Sequence, residues 1–368
     1  MNKYTLALSF LCCLSLFSQE DDTGYELEDG KKVGFVAIPM ITYNNSFGTS
    51  IGALASAFYN VQEKDSISPL SSSSVFGMGT TNKTWFAGQV NKFYLNEDKI
   101  RLKTFVGAGR INFQTFLEFP PFFDFFPGDL IGTDDDGVFI DYTTDLWAVY
   151  AETLFRLKEK VYLGGQLVYS HTYTEFDLPF NPTEEINQFG FGIAFEYDSR
   201  DHQFSPLSGK HSEVSTLTFL EELGSTNSYT RINLTYNHYF PLQERNTILA
   251  RFYSDISVGD VPFSGQNVVG RDDLRGYSNG KYRANQVYAV QTEYRKWFSE
   301  RWGYVAFGGI ATAVDSVGDM RFDGLLPAVG AGMRFLAIPK SKISIGMDIA
   351  VGKDDWGLYF RINEAFTR

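Results

Sequence analysis

The chain has 368 residues, with 32 Lys+Arg against 44 Asp+Glu for a net charge of −12. That acidic balance excludes nucleic acid as a partner. The absence of about twenty consecutive apolar residues after the opening segment 1–19 excludes a helical membrane protein.

The opening MNKYTLALSFLCCLSLFSQ has a lysine near its start, a short apolar stretch from Leu6 to Phe17, and small or polar residues at Ser18 and Gln19. It reads as a secretory signal peptide over 1–19, cleaved near Ser18 or Gln19. Small residues do not precede Cys12 or Cys13 as lipid attachment would need. Both cysteines of the chain lie here, so the exported chain is expected to hold neither disulfide nor thiolate metal site. Residues 20–32 are short, acidic and aperiodic, a periplasmic lead-in rather than a domain.

From Val33 to the end (33–368) the chain is a series of alternating segments broken by turn residues. Strands are expected over 33–43, 49–59, 72–80, 83–94, 100–112, 144–157, 161–173, 188–198, 210–220, 230–240, 247–260, 286–298, 304–315, 328–336, 342–351 and 356–363. Phe189, Phe191, Ile193, Phe195 and Tyr197 oppose Gln188, Gly190, Gly192, Ala194 and Glu196; Tyr288, Val290, Thr292 and Tyr294 oppose Ala289, Gln291, Glu293 and Arg295. Successive side chains of a strand face opposite ways, so each segment separates an apolar environment from a polar one. About sixteen such strands, an even number, with tight polar turns alternating with longer loops, predict an all-β fold: a transmembrane antiparallel barrel in the outer membrane. A composition of 34 Phe, 21 Tyr and 34 Gly suits aromatic girdles and small lumen-facing residues. A soluble β-sandwich also alternates, but sixteen strands are many for one sandwich, and the outward sets are aromatic on nearly every strand.

Four stretches then carry a resemblance. Leu274-Arg275-Gly276-Tyr277 looks like a signature tetrapeptide, and Glu293-Tyr294-Arg295 follows it on the next strand. Tyr197-Asp198-Ser199-Arg200-Asp201 leads into Pro206-Leu207-Ser208-Gly209, and Gly357-Leu358-Tyr359-Phe360 through Glu364-Ala365-Phe366 closes the chain. In that order they resemble the outer-membrane assembly and translocation barrels, the bacterial surface antigen family. The resemblance implies that the long outer loop 261–285 folds into the lumen, with Arg275 on acidic groups of the inner wall. Glu293, Asp348 and Glu196 are its candidate partners; the alternative is an outer-loop charge in water. Where relatives place an aspartate and, two residues on, a glycine, this chain has Gly309 and Ala311. The periplasmic receptor domains of translocating relatives need more residues than the lead-in offers, so a barrel-only member is expected.

Pro39 cannot donate to a ladder and sits on the first strand, which in a closed barrel meets the last. Pro39, Phe360 and Phe366 are therefore candidate residues of a lateral seam; a harmless irregularity near the rim is the other reading of Pro39. The phenylalanine-rich 116–129 reads as a partner surface or a cap on its own barrel. Thr133 to Gly137 and Gly270 to Asp273 are acidic turns without the spacing of a calcium loop. His171, His202, His211 and His238 are scattered, with no metal-ligand spacing, and no nucleophile sits in a catalytic context. No enzyme activity, metal or cofactor is expected. Outer-membrane lipids are the expected surroundings, with periplasmic or surface proteins as candidate partners. Three roles remain open: assembly or translocation, an accessory subunit of an envelope complex, or a passive pore for small solutes.

Overall fold

The computed structural model describes residues 32–44, 48–62, 65, 67–117, 138–242, 245–270, 273–277 and 281–366. The signal-peptide reading, nearly all of the lead-in, the phenylalanine-rich stretch beyond Leu117 and the turn at 133–137 lie outside the described residues.

Sixteen strands form one antiparallel sheet in chain order. They are β1 (Val33–Asn44), β2 (Gly48–Tyr59), β3 (Ser71–Thr80), β4 (Trp85–Leu95), β5 (Ile100–Leu117), β6 (Val138–Lys158), β7 (Val161–Phe176), β8 (Thr183–Asp198), β9 (Gly209–Phe219), β10 (Tyr229–Pro241) and β11 (Asn246–Gly259). After a small separate pair, β12 (Asn267–Val268) with β13 (Arg283–Ala284), the wall resumes with β14 (Gln286–Trp297), β15 (Trp302–Val314), β16 (Leu326–Ile338), β17 (Ile343–Gly352) and β18 (Asp355–Ile362). Every expected wall strand is present. β5 and β6 run further than alternation suggested, in register out to Leu117↔Val138.

Alternation sets what faces where. On β14, Val287, Ala289, Gln291, Glu293 and Arg295 are buried inside, while Tyr288, Val290, Thr292 and Tyr294 face outward. Phe35, Ile51, Val75, Trp147, Leu167 and Ile193 on other strands are exposed on the outer surface. In water such a belt would be costly at about 25 cal/mol per Å²; in a bilayer it is the surface that belongs there.

At the barrel end where β1 begins, the turn after β4 is held tightly. Asn96, Glu97 and Asp98 all have φ near +60, a run that side chains disfavour. Their amides are met by the neighbouring segment: Asn96 N donates to Gln62 Oε1 at 3.0 Å, Glu97 N to Asp65 Oδ2 at 2.8 Å, and Asp98 N to Ser68 Oγ at 2.7 Å.

The β8–β9 connection turns inward across the same end of the barrel. Asp201 Oδ1 accepts from the amides of His202, Leu207 and Ser208 at 3.0, 2.9 and 3.1 Å, tying the loop shut. Gly209 has φ +100, and a Cβ there would lie 2.2 Å from Ser199 O. The loop's tip is buried: Phe204 stacks edge-on to Phe58 at 5.4 Å and joins the cluster of Val36, Ile38, Leu70 and Phe335. Beside it, His202 Nδ1 accepts from the amides of Phe204 and Ser205. Burial, then the nearby Lys342 and Arg200, push its pKa down from 6.5 to about 3.

As pH falls below 6.5, the unfolded chain gains a proton that folded His202 refuses. Stability is therefore lost between about pH 6.5 and 3, by at most ~1.4 kcal/mol per pH unit. Urea midpoints in lipid vesicles should drop from pH 7 to pH 5 more steeply in the native chain than in His202→Gln. Parallel pH profiles for the two proteins would refute this assignment.

Candidate functional site

The segment between β11 and β14 is anchored at both sides of the barrel. Asn267 Nδ2 donates to Asp255 O (3.1 Å) and Asn285 O (2.8 Å), closing the base of the β12–β13 pair. Arg283 lies 3.9 Å over the Phe263 ring, and Phe263 packs edge-on to Tyr142 of β6 and Phe176 of β7. The tip reaches the opposite wall. There Leu274 and Tyr277 are buried with Tyr253, Val287, Ala311 and Ala328. Asp273 is buried as well, accepting from Gly270 N at 2.9 Å.

Arg275 occupies the centre of that anchor. Its Nη1 donates to Asp348 Oδ2 at 2.6 Å, its Nη2 donates to Glu293 Oε2, and its guanidinium lies 3.4 Å over the Phe307 ring. Gly276, at φ +114, donates its N–H to Tyr359 Oη on the last strand at 2.9 Å. Tyr277 Oη donates to Pro327 O (2.6 Å) and accepts from Lys353 N (3.0 Å). Of the three candidate partners, two meet Arg275. Glu196 does not: it accepts from Arg101 Nη1 at 2.9 Å and lies 2.8 Å from His211 Nε2, so that candidate pairing is corrected. The departure at Gly309 and Ala311 has a steric role. A Cβ on Gly309 would sit 2.7 Å from Leu274 Cδ1 and 2.4 Å from Val290 O. The wall there is bare so that Leu274 can seat, and the second carboxylate comes from β17.

The network extends beyond the loop. Glu293 Oε1 accepts from Arg295 Nε at 2.6 Å; Asp348 Oδ1 accepts from Arg334 Nη1 at 2.5 Å, and Arg361 Nη2 lies 3.0 Å from Asp348 Oδ2. Arg334 Nε donates to Glu364 Oε2 at 2.8 Å. The residues after β18 thus turn into the lumen. Arg295 Nη2 donates to Ala365 O at 3.0 Å, and Phe366 lies under Arg251 at 4.1 Å. Phe366 is therefore a lumen residue and not part of the wall seam, a second correction. The backbone leaves the strand at Asn363, whose φ is positive, which no glycine in the sequence announced.

The seam itself lies between β18 and β1. The two strands come within 8 Å, yet among the described residues no backbone ladder joins them. Side chains span the gap instead: Val36 and Ile38 of β1, Phe58 of β2, and Phe360 and Ile362 of β18 belong to one apolar cluster. Pro39 faces outward, and the β1–β2 register runs unshifted through Pro39↔Ala53. The unpaired edge is on the other side of β1.

Sequence reading missed a second charged cluster, near the barrel end that carries the 96–98 turn. Arg101 donates to Asp98 (2.7 Å), Glu196 (2.9 Å) and Asp198 (3.2 Å), and Arg200 donates to Asp198 at 2.7 Å. Glu196, Asp198 and His211 lie close enough to ligate one ion, so His211 is not as isolated as its spacing suggested. Two guanidiniums already occupy those carboxylates, which makes this an ion-pair cluster rather than a cation site. Lumen alternation could have nominated its members; strand register alone brings them together.

The Omp85 superfamily domain matches residues 133–351. Among solved structures the chain is similar to BamA from Haemophilus ducreyi lacking POTRA domains 1–3, at 13% identity and a TM-score of 0.56, over 98% of this chain and 78% of that one. It is similar to CdiB from Acinetobacter baumannii at 10% identity and a TM-score of 0.55, over 90% of this chain and 60% of that one. CdiB from Escherichia coli matches at 12% identity and a TM-score of 0.56, over 89% of this chain and 62% of that one. The chain thus spans less than two thirds of either CdiB, and identities this low speak for the fold alone. No curated protein matches the chain. With the domain match covering more than half of its length and sixteen strands in the matching barrel, the chain belongs to the Omp85 superfamily of outer-membrane β-barrels.

Proposed function

We propose that this barrel takes part in outer-membrane protein biogenesis, opening between β18 and β1 to pass a client strand into the bilayer, with separate periplasmic proteins delivering the client. The observation that carries this reading is a seam closed by apolar side chains without a backbone ladder. Unpaired N–H and C=O groups cost several kcal/mol each in hydrocarbon. An edge of that kind is a template for an incoming strand. Apolar contacts are non-directional, so Val36, Ile38, Phe360 and Ile362 can part and re-form with no register to recover.

A passive pore is the weaker reading, because the β11–β14 segment, the Phe204 loop and the tail at 364–366 all lie across the lumen. An accessory role in an envelope complex would use the same barrel without opening the seam. Cysteine pairs placed between residues 34–40 and 356–362 test the difference. Cells depleted of the native chain should show lowered levels of other outer-membrane barrels. A reduced seam variant should restore them, and the oxidised, cross-linked form should not. Full restoration by the oxidised form would sink the lateral-opening reading.

A further inference from the structure

The lumen is not uniformly polar. On β2 to β7 its inner face carries Leu54, Phe76, Val90, Phe105 and Val168, which line a chamber of about 760 Å³ beneath the Arg275 loop. That volume lies in the ~300–1,000 Å³ range of small-molecule sites. A water-filled channel is lined by polar side chains; this wall loses free energy wherever water touches it. The same chamber is lined by Lys92, Lys103, Arg231, Arg275 and Arg361 against the single carboxylate of Glu364, within a chain whose net charge is −12.

The cations are placed in an unusual way. Lys92 and Lys103 are direct cross-strand partners, and like charges opposite each other destabilise a sheet. Glu152 is the partner of Lys103 on the next strand and its neighbouring opposite charge, and it also accepts from the Tyr150 hydroxyl at 2.9 Å. Among the described residues Lys103 makes no ion pair; its ammonium stands 5.7 Å from the Tyr150 ring centroid. Arg275 and Arg361 already hold Asp348, and Arg231 holds Asp255. Lys92 has an interaction of its own, whereas the ammonium of Lys103 has no carboxylate oxygen within ion-pair distance among the described residues, so it is the chamber cation best able to receive an anion. The chamber also borders the seam, since Leu54 and Phe58 line it from β2 and Tyr359 and Arg361 from β18.

We propose that the chamber binds one anionic single-chain amphiphile, entering from the bilayer through the β18–β1 seam. Its acyl chain lies on Leu54, Phe76, Val90 and Phe105, and its carboxylate or phosphate head meets Lys103. The assignment is independent of whether the barrel handles client proteins.

The test titrates the full chain, purified in a non-ionic sugar detergent, with the fluorescent fatty acid cis-parinaric acid. Binding should saturate at one probe per chain. Lys103→Glu should weaken it by about tenfold or more, the loss of one charge-assisted contact, while leaving binding of the uncharged parinaryl alcohol unchanged. Ala148→Trp, which fills the chamber, should abolish both, with heat-modifiable gel mobility reporting an intact barrel. Displacement by a long-chain fatty acid or by lysophosphatidate identifies the head that is preferred, and displacement by neither overturns the proposal. Non-saturable uptake, or equal affinity in the native chain and Lys103→Glu, overturns it too.

Discussion

Arg275→Ala should release the β11–β14 segment from the wall while leaving the barrel folded. The guanidinium bridges Glu293 and Asp348 and covers Phe307, so its loss removes two charge-assisted bonds and a cation–π contact. Breaking a buried pair typically costs ~3–5 kcal/mol, because the partner charge is stranded. Here neither carboxylate is stranded: Arg295 still holds Glu293, and Arg334 and Arg361 still hold Asp348. The expected cost is therefore at the low end, about 3 kcal/mol, and local to the loop. It should appear as faster amide exchange over 266–285 and as channel openings in planar bilayers that the native chain lacks. Arg275→Lys keeps the charge but not the planar fork, so it should recover less than half of the protection. Native exchange rates in Arg275→Ala would mean that Leu274 and Tyr277 hold the loop without it.

The wall was legible because a barrel in lipid imposes one rule on every strand. The rule is visible on β14, where Ala289, Gln291, Glu293 and Arg295 are buried and their neighbours are not. The same rule put Glu293 on the lumen side, within reach of a loop that the tetrapeptide nominated. It could not choose between Asp348 and Glu196, since both face inward; that choice depends on register and on position along the barrel. Two kinds of feature escaped. The β12–β13 pair has two residues per strand, too short for any period. The tail 363–366 continues the alternation of β18 on paper, but the backbone turns at Asn363, at positive φ, and the tail lies in the lumen. The Phe204 loop shows the opposite case: its Asp201 and Gly209 are legible as turn residues, whereas its burial comes from apolar partners on distant strands.

Deleting residues 364–368 should destabilise the barrel itself, and by more than Arg275→Ala does. In the lumen network Arg275, Arg295, Arg334 and Arg361 face Glu293, Asp348 and Glu364. Removing Glu364 takes from Arg334 a carboxylate 2.8 Å away and from Arg295 one 3.8 Å away. Arg295 also loses the Ala365 carbonyl, and Arg251 loses the Phe366 ring. Arg334 keeps Asp348 and Arg295 keeps Glu293, but four guanidiniums then share two carboxylates. At 1–3% side-chain exposure the surplus positive charge is not relieved by water, and the cost should approach the ~3–5 kcal/mol of a broken buried pair. The heat-modifiable transition should fall accordingly. Glu364→Gln preserves the shape and one acceptor, so it isolates the charge and should account for more than half of the loss. Arg334→Met in the deletion background should restore stability, because it removes one surplus cation while Arg275 and Arg361 still hold Asp348. If Arg334→Met instead lowers stability further, the tail acts by filling space and not by balancing charge.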